Sequence, residues 1–293
     1  HSSDSEGDIN VGDLLRLALP LDTSLVGNNA EPRRYVNWVA VLTDWANVEE
    51  QVQPNDLVLI PTTLQRRLTG ADAADLLRPL AELPAAALLF FEPMAAELEK
   101  ALNELKLTAL VASAKSSLRD THESVAQLLV DRQTATSERA LQLYRQLSTM
   151  SREGLGLQAM TEVMSKLTGN TVAVQDKRLE VQAISWGNMM TVDHDAVTAA
   201  LQQRDGLPPV LRNRKAAAKA RQSVWQIVLP IENLGRLISP IISGDRARGY
   251  LSVIGPAAEL DMFDSLTVEH GAAACALEMA KANQRWCETG GKE

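Results

Sequence analysis

Cysteine is nearly absent: Cys275 and Cys287 are the only two in 293 residues. Both fall in the final helical segment, which supplies neither a disulfide framework nor a thiolate metal site. They read as free thiols of a reducing cytoplasm. Aromatic residues make up only 4% of the chain, so Ala, Leu and Val must fill the interior. No apolar run approaches the ~20 residues needed to cross a bilayer. The longest, "LPAAALLFF" (83–91), has the length of a strand. The opening "HSSDSEGD" (1–8) is polar and acidic, carries no signal-peptide pattern and reads as a flexible tail. Positive charge is in deficit as well: the net charge is -8 and the pI about 5.2. Such a chain is repelled overall by a phosphate backbone, which excludes a general nucleic-acid binder. No Gly-rich loop follows any strand, which speaks against dinucleotide binding.

What is present is a hydrophobic content of 45%, enough for real cores. At roughly 100–200 residues per domain the length suits two. Residues 9–134 alternate apolar strands with amphipathic helices. The strands are "YVNWVAVLTDW" (35–45), "DLVLIP" (56–61), "AAALLFFEP" (85–93) and "LTALVAS" (107–113). Their apolar runs do not alternate with polar residues, so the expected fold is α/β with a parallel sheet covered on both faces. A short first helix over 9–21 is expected to be capped by Asp13 and ended by Pro20. Residues 137–288 change pattern. Two helices (137–156 and 157–169, the second ended by Gly169), two strands, a helix from 193 to 206, three strands and a long helix from 261 to 286 predict an α+β domain, its antiparallel sheet lying between helices. The last two strands form a hairpin around Ser243-Gly244-Asp245-Arg246, stopped by Gly255-Pro256.

Both halves resemble known domains. "VGDLLRLALPLDTSLVG", "RRYVNWVAVLTDW" and "VQPNDLVLIPTTL" resemble the N-terminal domain of the PucR (purine catabolism regulator-like) family of bacterial transcription regulators. Asn55 stands where that pattern has a glycine, and Asn28-Asn29 where a glycine pair is common; asparagine is compatible with a turn. "RGYLSVIG", followed by the helix containing "EHGAAACALEMAK", resembles a GAF-type sensory domain. The resemblance implies a cytoplasmic homodimer that senses a small-molecule effector, a purine-related or other nitrogen-rich metabolite. It implies contact with DNA only through a helix-turn-helix domain, for which "RWCETGGKE" leaves no room. It implies no enzyme activity and no cofactor.

The candidate ligand-binding residues are Trp186, Trp225, Arg248, Tyr250 and Ser252. By two-residue alternation Ser223, Trp225 and Ile227 share one face, and Arg248, Tyr250, Ser252 and Ile254 share another. An apolar wall with a few polar handles is what a sensor pocket requires; the competing reading is ordinary core. Strand ends in the first half carry Asn37, Trp38, Thr43, Asp44, Thr62, Thr63 and Glu92, where ligands of α/β sheets gather. "LRNRKAAAKARQS" (211–223) is the one basic cluster. It reads as a solvated segment, with contact to an anionic ligand or to nucleic acid as its functional alternatives. His194 between Asp193 and Asp195 suggests a helix cap before a catalytic site. His270 and Cys275 lie about 140° apart on a helix and cannot meet as a nucleophile pair. No catalytic residue and no metal ligand is expected.

The final helix carries two apolar stripes, Val268, Ala272, Cys275, Met279, Ala282 and Trp286 beside Leu266, Ala273, Leu277 and Ala280. Together they exceed the ~100° arc that one core needs. With Leu141, Tyr144 and Leu147 of an earlier helix, they predict a second chain packed against these helices.

Overall fold

The computed structural model describes residues 8–188 and 192–289, with residues 282–289 as backbone alone. Residues 1–7 of the predicted tail and the side chains of Ala282, Trp286 and Cys287 lie outside the described set. The chain divides into two compact units between Thr136 and Ser137.

The first unit opens with α1 (Val11–Leu17). Its cap is Asn10, whose side chain accepts from the Asp13 amide at 2.9 Å. The Asp13 carboxylate accepts in return from the Asn10 amide at 3.1 Å. This reciprocal pair satisfies two of the helix's free donors and corrects the expectation that Asp13 itself is the cap. The elements β1 (Ser24–Val26), β2 (Val39–Val41), α2 (Val48–Gln51), β3 (Leu57–Ile60), α3 (Thr62–Gln65), α4 (Asp72–Glu82), β4 (Ala87–Phe90), α5 (Ala96–Glu104), β5 (Ala109–Val111) and α6 (Leu118–Val130) follow. The sheet order is β1-β5-β4-β3-β2. β2 to β5 pair in parallel, and β1 closes one edge antiparallel to β5. Every residue of β3 and β4 is buried, as a sheet covered on both faces demands.

The strand expected over 35–45 shrinks to Val39–Val41. Trp45 leaves the sheet and its indole N–H donates to the Leu64 carbonyl at 3.1 Å. Asn55 has φ 64°, the left-handed conformation that asparagine tolerates and glycine favours. β1 and α3 carry too few residues for periodicity to reveal, and the sequence reading misses both.

The helix α7 (Arg132–Arg152) begins earlier than expected and carries the chain into the second unit. There follow α8 (Gly156–Thr168), β6 (Thr171–Asp176), β7 (Val181–Ser185), α9 (His194–Gln202), α10 (Arg214–Lys219), β8 (Trp225–Val228), β9 (Leu234–Ser243), β10 (Arg246–Pro256) and α11 (Met262–Thr289). The sheet order is β7-β6-β10-β9-β8, antiparallel throughout. Gly169 ends α8 in the left-handed conformation, φ 74°. Gly244, φ 68°, turns the hairpin between the paired residues Ser243 and Arg246. The second hairpin strand continues through Gly255 to Pro256, which pairs with Leu234; the expected stop comes one step later because proline fits the end of a ladder.

Side-chain alternation divides the sheet. A Cβ at Gly271 of α11 would meet Leu251 and Met164 within 3 Å, so Leu251 of β10 faces α8 and α11. Ile254 and Ala173 pack instead with Val197 and Leu201 of α9. The sheet is therefore sandwiched: α8 and α11 cover one face, and the segment from α9 to α10 covers the other.

Candidate functional site

The cover between β7 and β8 is held by its own arginines. Between α9 and α10 the chain makes two 3-10 turns, Arg204–Gly206 and Pro209–Arg212. Arg212 donates to the carbonyls of Leu207 at 2.9 Å and Asp205 at 2.7 Å. Arg204 donates to the Arg212 carbonyl at 2.7 Å. Asn213 caps α10, accepting from the amides of Lys215 and Ala216. Arg214 then reaches the sheet, where its Nε donates to the Ala247 carbonyl at 2.7 Å. The basic cluster is thus a structural clasp, with Arg212 and Arg214 engaged by backbone carbonyls.

Beneath that cover the sheet presents a buried polar row. Arg236 of β9 is 1% exposed. Its Nε donates to Ser252 Oγ at 2.8 Å and its Nη2 to Gln175 Oε1 at 2.9 Å. Gln175 in turn donates to the carbonyls of Leu179 at 2.7 Å and Leu201 at 2.9 Å. The Tyr250 hydroxyl donates to the Leu211 carbonyl at 2.7 Å. Burial draws the Arg236 guanidinium down to about 10, with Tyr250 acting the other way. Burial raises the Tyr250 hydroxyl, opposed by Arg204, Arg214 and Arg236. Among the described residues no carboxylate forms an ion pair with Arg236. Leu179, Leu207, Leu211, Ala217 and Ile238 are buried in the same cluster as Tyr250, with Trp225 packed against it.

Three of the five sequence-selected residues therefore meet on one face: Trp225, Tyr250 and Ser252. Arg248 does not join them. The ladder slips between Ala247 and Gly249, so Arg248 is the extra residue of a β-bulge and two-residue alternation fails there. It lines a 590 Å³ cavity with Leu155, Gln158, Lys177, Glu278 and Met279, on the side of α8 and α11. Trp186 is also elsewhere. It stacks on His194 at 3.7 Å with the rings 3° from parallel, and borders a 280 Å³ hollow with Ser165, Lys166 and Gly169.

Arg236 and Gln175 were missed by the sequence reading. The signal was there in "LGRLISPII" (234–242): Arg236 occupies the core-facing position between Leu234 and Ile238. Asp193 caps α9, accepting from the Asp195 amide at 3.0 Å, and His194 is exposed. His270 packs edgewise near Tyr144, with ring centroids 6.0 Å apart, while Cys275 is fully buried. In the first unit Thr43 and Asp44 are tied to Gln51, and Glu92 pairs with Arg66 at 2.5 Å and with Gln65. Among the described residues no group of three or more His, Cys, Asp or Glu side chains could hold a metal ion, and no helix is long and apolar enough to cross a membrane.

No family model matches the sequence, and no curated protein does. Solved structures similar in fold include the GAF domain from Acinetobacter phosphoenolpyruvate-protein phosphotransferase: 13% identity, 49% of this chain and 94% of that one, TM-score 0.34. Another is the GAF domain of a Pseudomonas syringae pv. tomato protein described as a sensor histidine kinase: 11% identity, 55% of this chain and 98% of that one, TM-score 0.39. At these scores the likeness carries no argument about chemistry. The fold rests on its own strand order: a parallel α/β sheet with one antiparallel edge, then an antiparallel β7-β6-β10-β9-β8 sheet between helices.

Proposed function

We propose that this chain is the ligand-sensing and dimerising part of a bacterial transcription regulator of the PucR type, with the second, GAF-like unit as the sensor. One observation carries the reading. Arg236, Gln175, Ser252 and Tyr250 form a polar row on the covered face of an otherwise apolar sheet. Burying polar groups costs free energy unless they are hydrogen-bonded, and a few placed polar groups in an apolar wall are what a ligand site requires. Trp225 supplies an aromatic wall beside them. The cover from α9 to α10 is the natural route of entry, because it is built of short helices and 3-10 turns.

Ligand binding acts by favouring one arrangement of the protein over another. The α11 helix follows directly on β10, so a change at Ser252 and Tyr250 has a short path to it. Contact with DNA belongs to a helix-turn-helix domain outside this sequence. The test is a thermal-shift screen of the full chain against purines, their breakdown products, and other neutral and charged metabolites. A ligand at 100 times its dissociation constant adds about 2.7 kcal/mol. Failure of every metabolite class to shift the melting point rejects the sensor.

A second reading is a ligand-free dimerisation module. The observation favouring it is that Ser252, Gln175 and Leu211 already satisfy Arg236 and Tyr250. On that reading the screen is silent while the chain still dimerises.

A further inference from the structure

The cavity on the side of α8 and α11 measures 590 Å³, within the range that holds small molecules. Two β-bulges open onto it. β6 lies between β10 and β7, and each neighbour carries one extra residue near the end of β6. Those residues, Arg248 and Gln182, both line the cavity. Bulges of this kind re-aim side chains beside functional sites. One step past the ladder pair of Gly249 and Asp176 come Arg248 on one strand and Lys177 on the other. Both cations line the cavity, and among the described residues neither side chain makes a hydrogen bond or an ion pair. The α11 wall closes on the same point: a Cβ at Gly249 would lie 3.0 Å from Met279 Cε. Glu278, next to Met279, lines the cavity too. Its Oε2 accepts from Ser151 Oγ at 2.8 Å, and its Oε1 accepts nothing among the described residues. Asp176 is the second carboxylate of the lining, with Oδ1 taken by the amides of Arg178 and Glu180. The apolar lining is Leu155, Leu157 and Met279, and Leu155 is 54% exposed.

We propose that this cavity binds an α-amino acid with an apolar side chain. Its carboxylate meets Arg248, with Lys177 beside it; its ammonium meets Glu278; its side chain covers Leu155, Leu157 and Met279. A guanidinium takes a carboxylate in two parallel hydrogen bonds. Two cations and two carboxylates line one cavity, and Arg248 and Glu278 do not pair with each other. Complementarity then favours a ligand that carries both charges. A plain anion is repelled by Glu278 and Asp176, and a plain amine by Arg248 and Lys177. The site lies on the opposite face of the sheet from Arg236. The inference therefore goes beyond the sensor reading and stands whether or not the polar row binds a ligand. Bound here, an amino acid ties the β10 bulge to α11.

The test uses the full chain with L-leucine, L-phenylalanine and two fragments of leucine. 4-Methylpentanoate lacks the ammonium, and 3-methylbutylamine lacks the carboxylate. Melting temperature is the readout. At saturation an amino acid raises it by about 5 °C or more, and at the same concentration the fragments leave it unchanged. Arg248→Gln and Glu278→Gln each weaken amino-acid binding at least tenfold. Both residues are only half-buried, and glutamine at 278 still accepts from Ser151, so both variants fold. Loss of the shift in both variants supports the site and assigns the ligand to it rather than to the polar row beneath the cover. A fragment that shifts the melting point as far as leucine does overturns the zwitterion. A shift that survives in either variant overturns the two-ended site. No shift from either amino acid overturns the inference, and the wider metabolite screen then decides separately whether sensing stands.

Discussion

Gln175 accepts from Arg236 Nη2 at 2.9 Å while donating its own amide to Leu201 at 2.9 Å, so one side chain on β6 joins the buried cation to the end of α9. Gln175→Leu removes both links. It leaves a desolvated guanidinium short of an acceptor and two buried carbonyls short of a donor. Such losses cost about 1–3 kcal/mol each when unsatisfied and more when a charge is involved. The expected outcome is destabilisation by about 3 kcal/mol, read as a lower denaturant midpoint at unchanged slope.

Two glycines of the second unit should respond in opposite ways. A Cβ on Gly249 would lie 2.2 Å from the Gln175 carbonyl oxygen, an immovable backbone atom. Gly249→Ala is expected to cost about 3 kcal/mol or more, by overpacking against the β6 ladder. A Cβ on Gly206 meets nothing within 4 Å. Gly206→Ala is expected to be neutral or to stabilise by about 0.4–1 kcal/mol, because it narrows the unfolded ensemble. Thermal unfolding of the two variants side by side checks both.

The Cys275 thiol is pushed up to about 12 by burial, with Glu278 adding to the shift. The folded protein keeps this proton where the unfolded chain, with an ordinary value of 9.0, has lost it. Stability is therefore intact below about pH 9 and falls as the pH rises from 9 towards 12. The loss is on the order of 4 kcal/mol at the upper end. Cys275→Ala should flatten that part of the stability profile. Iodoacetamide at pH 8 should leave Cys275 unmodified in the native protein, with the site mapped by mass spectrometry.

Dimerisation is open to direct measurement. Leu277 of α11 and Leu141 of α7 are each 47% exposed, and Ala273 and Ala280 are exposed with Leu277. Leu147, grouped with Leu141 on sequence grounds, is instead fully buried. Leu277→Glu should convert the proposed dimer into a monomer in sedimentation velocity, and leave the melting profile of the isolated chain within about 0.5 kcal/mol. A wild-type chain that sediments as a monomer rejects the dimer.

Much of the architecture was legible because it rests on periodicity. Leu57 to Ile60 and Ala87 to Phe90 announce buried parallel strands, and the capping residues Asp193 and Gly169 mark their helices. The candidate site was half legible. Trp225, Tyr250 and Ser252 follow from alternation, since the ladder from Tyr250 to Ile254 is regular. Arg248 was misplaced because a bulge leaves no mark in composition. Arg236 was passed over because a charged residue inside a hydrophobic run reads as an interruption of the core, although here it is the centre of it.

The sheet order places β6 next to β10, so the segment between β7 and β8 leaves one edge strand and returns at the opposite edge. It crosses the covered face without contributing a strand. It supplies none of the ladder's hydrogen bonds, and it holds to the sheet through Leu201, Leu211 and Arg214. On the proposed sensor reading, ligand choice therefore rests in that crossing segment and not in the scaffold beneath it.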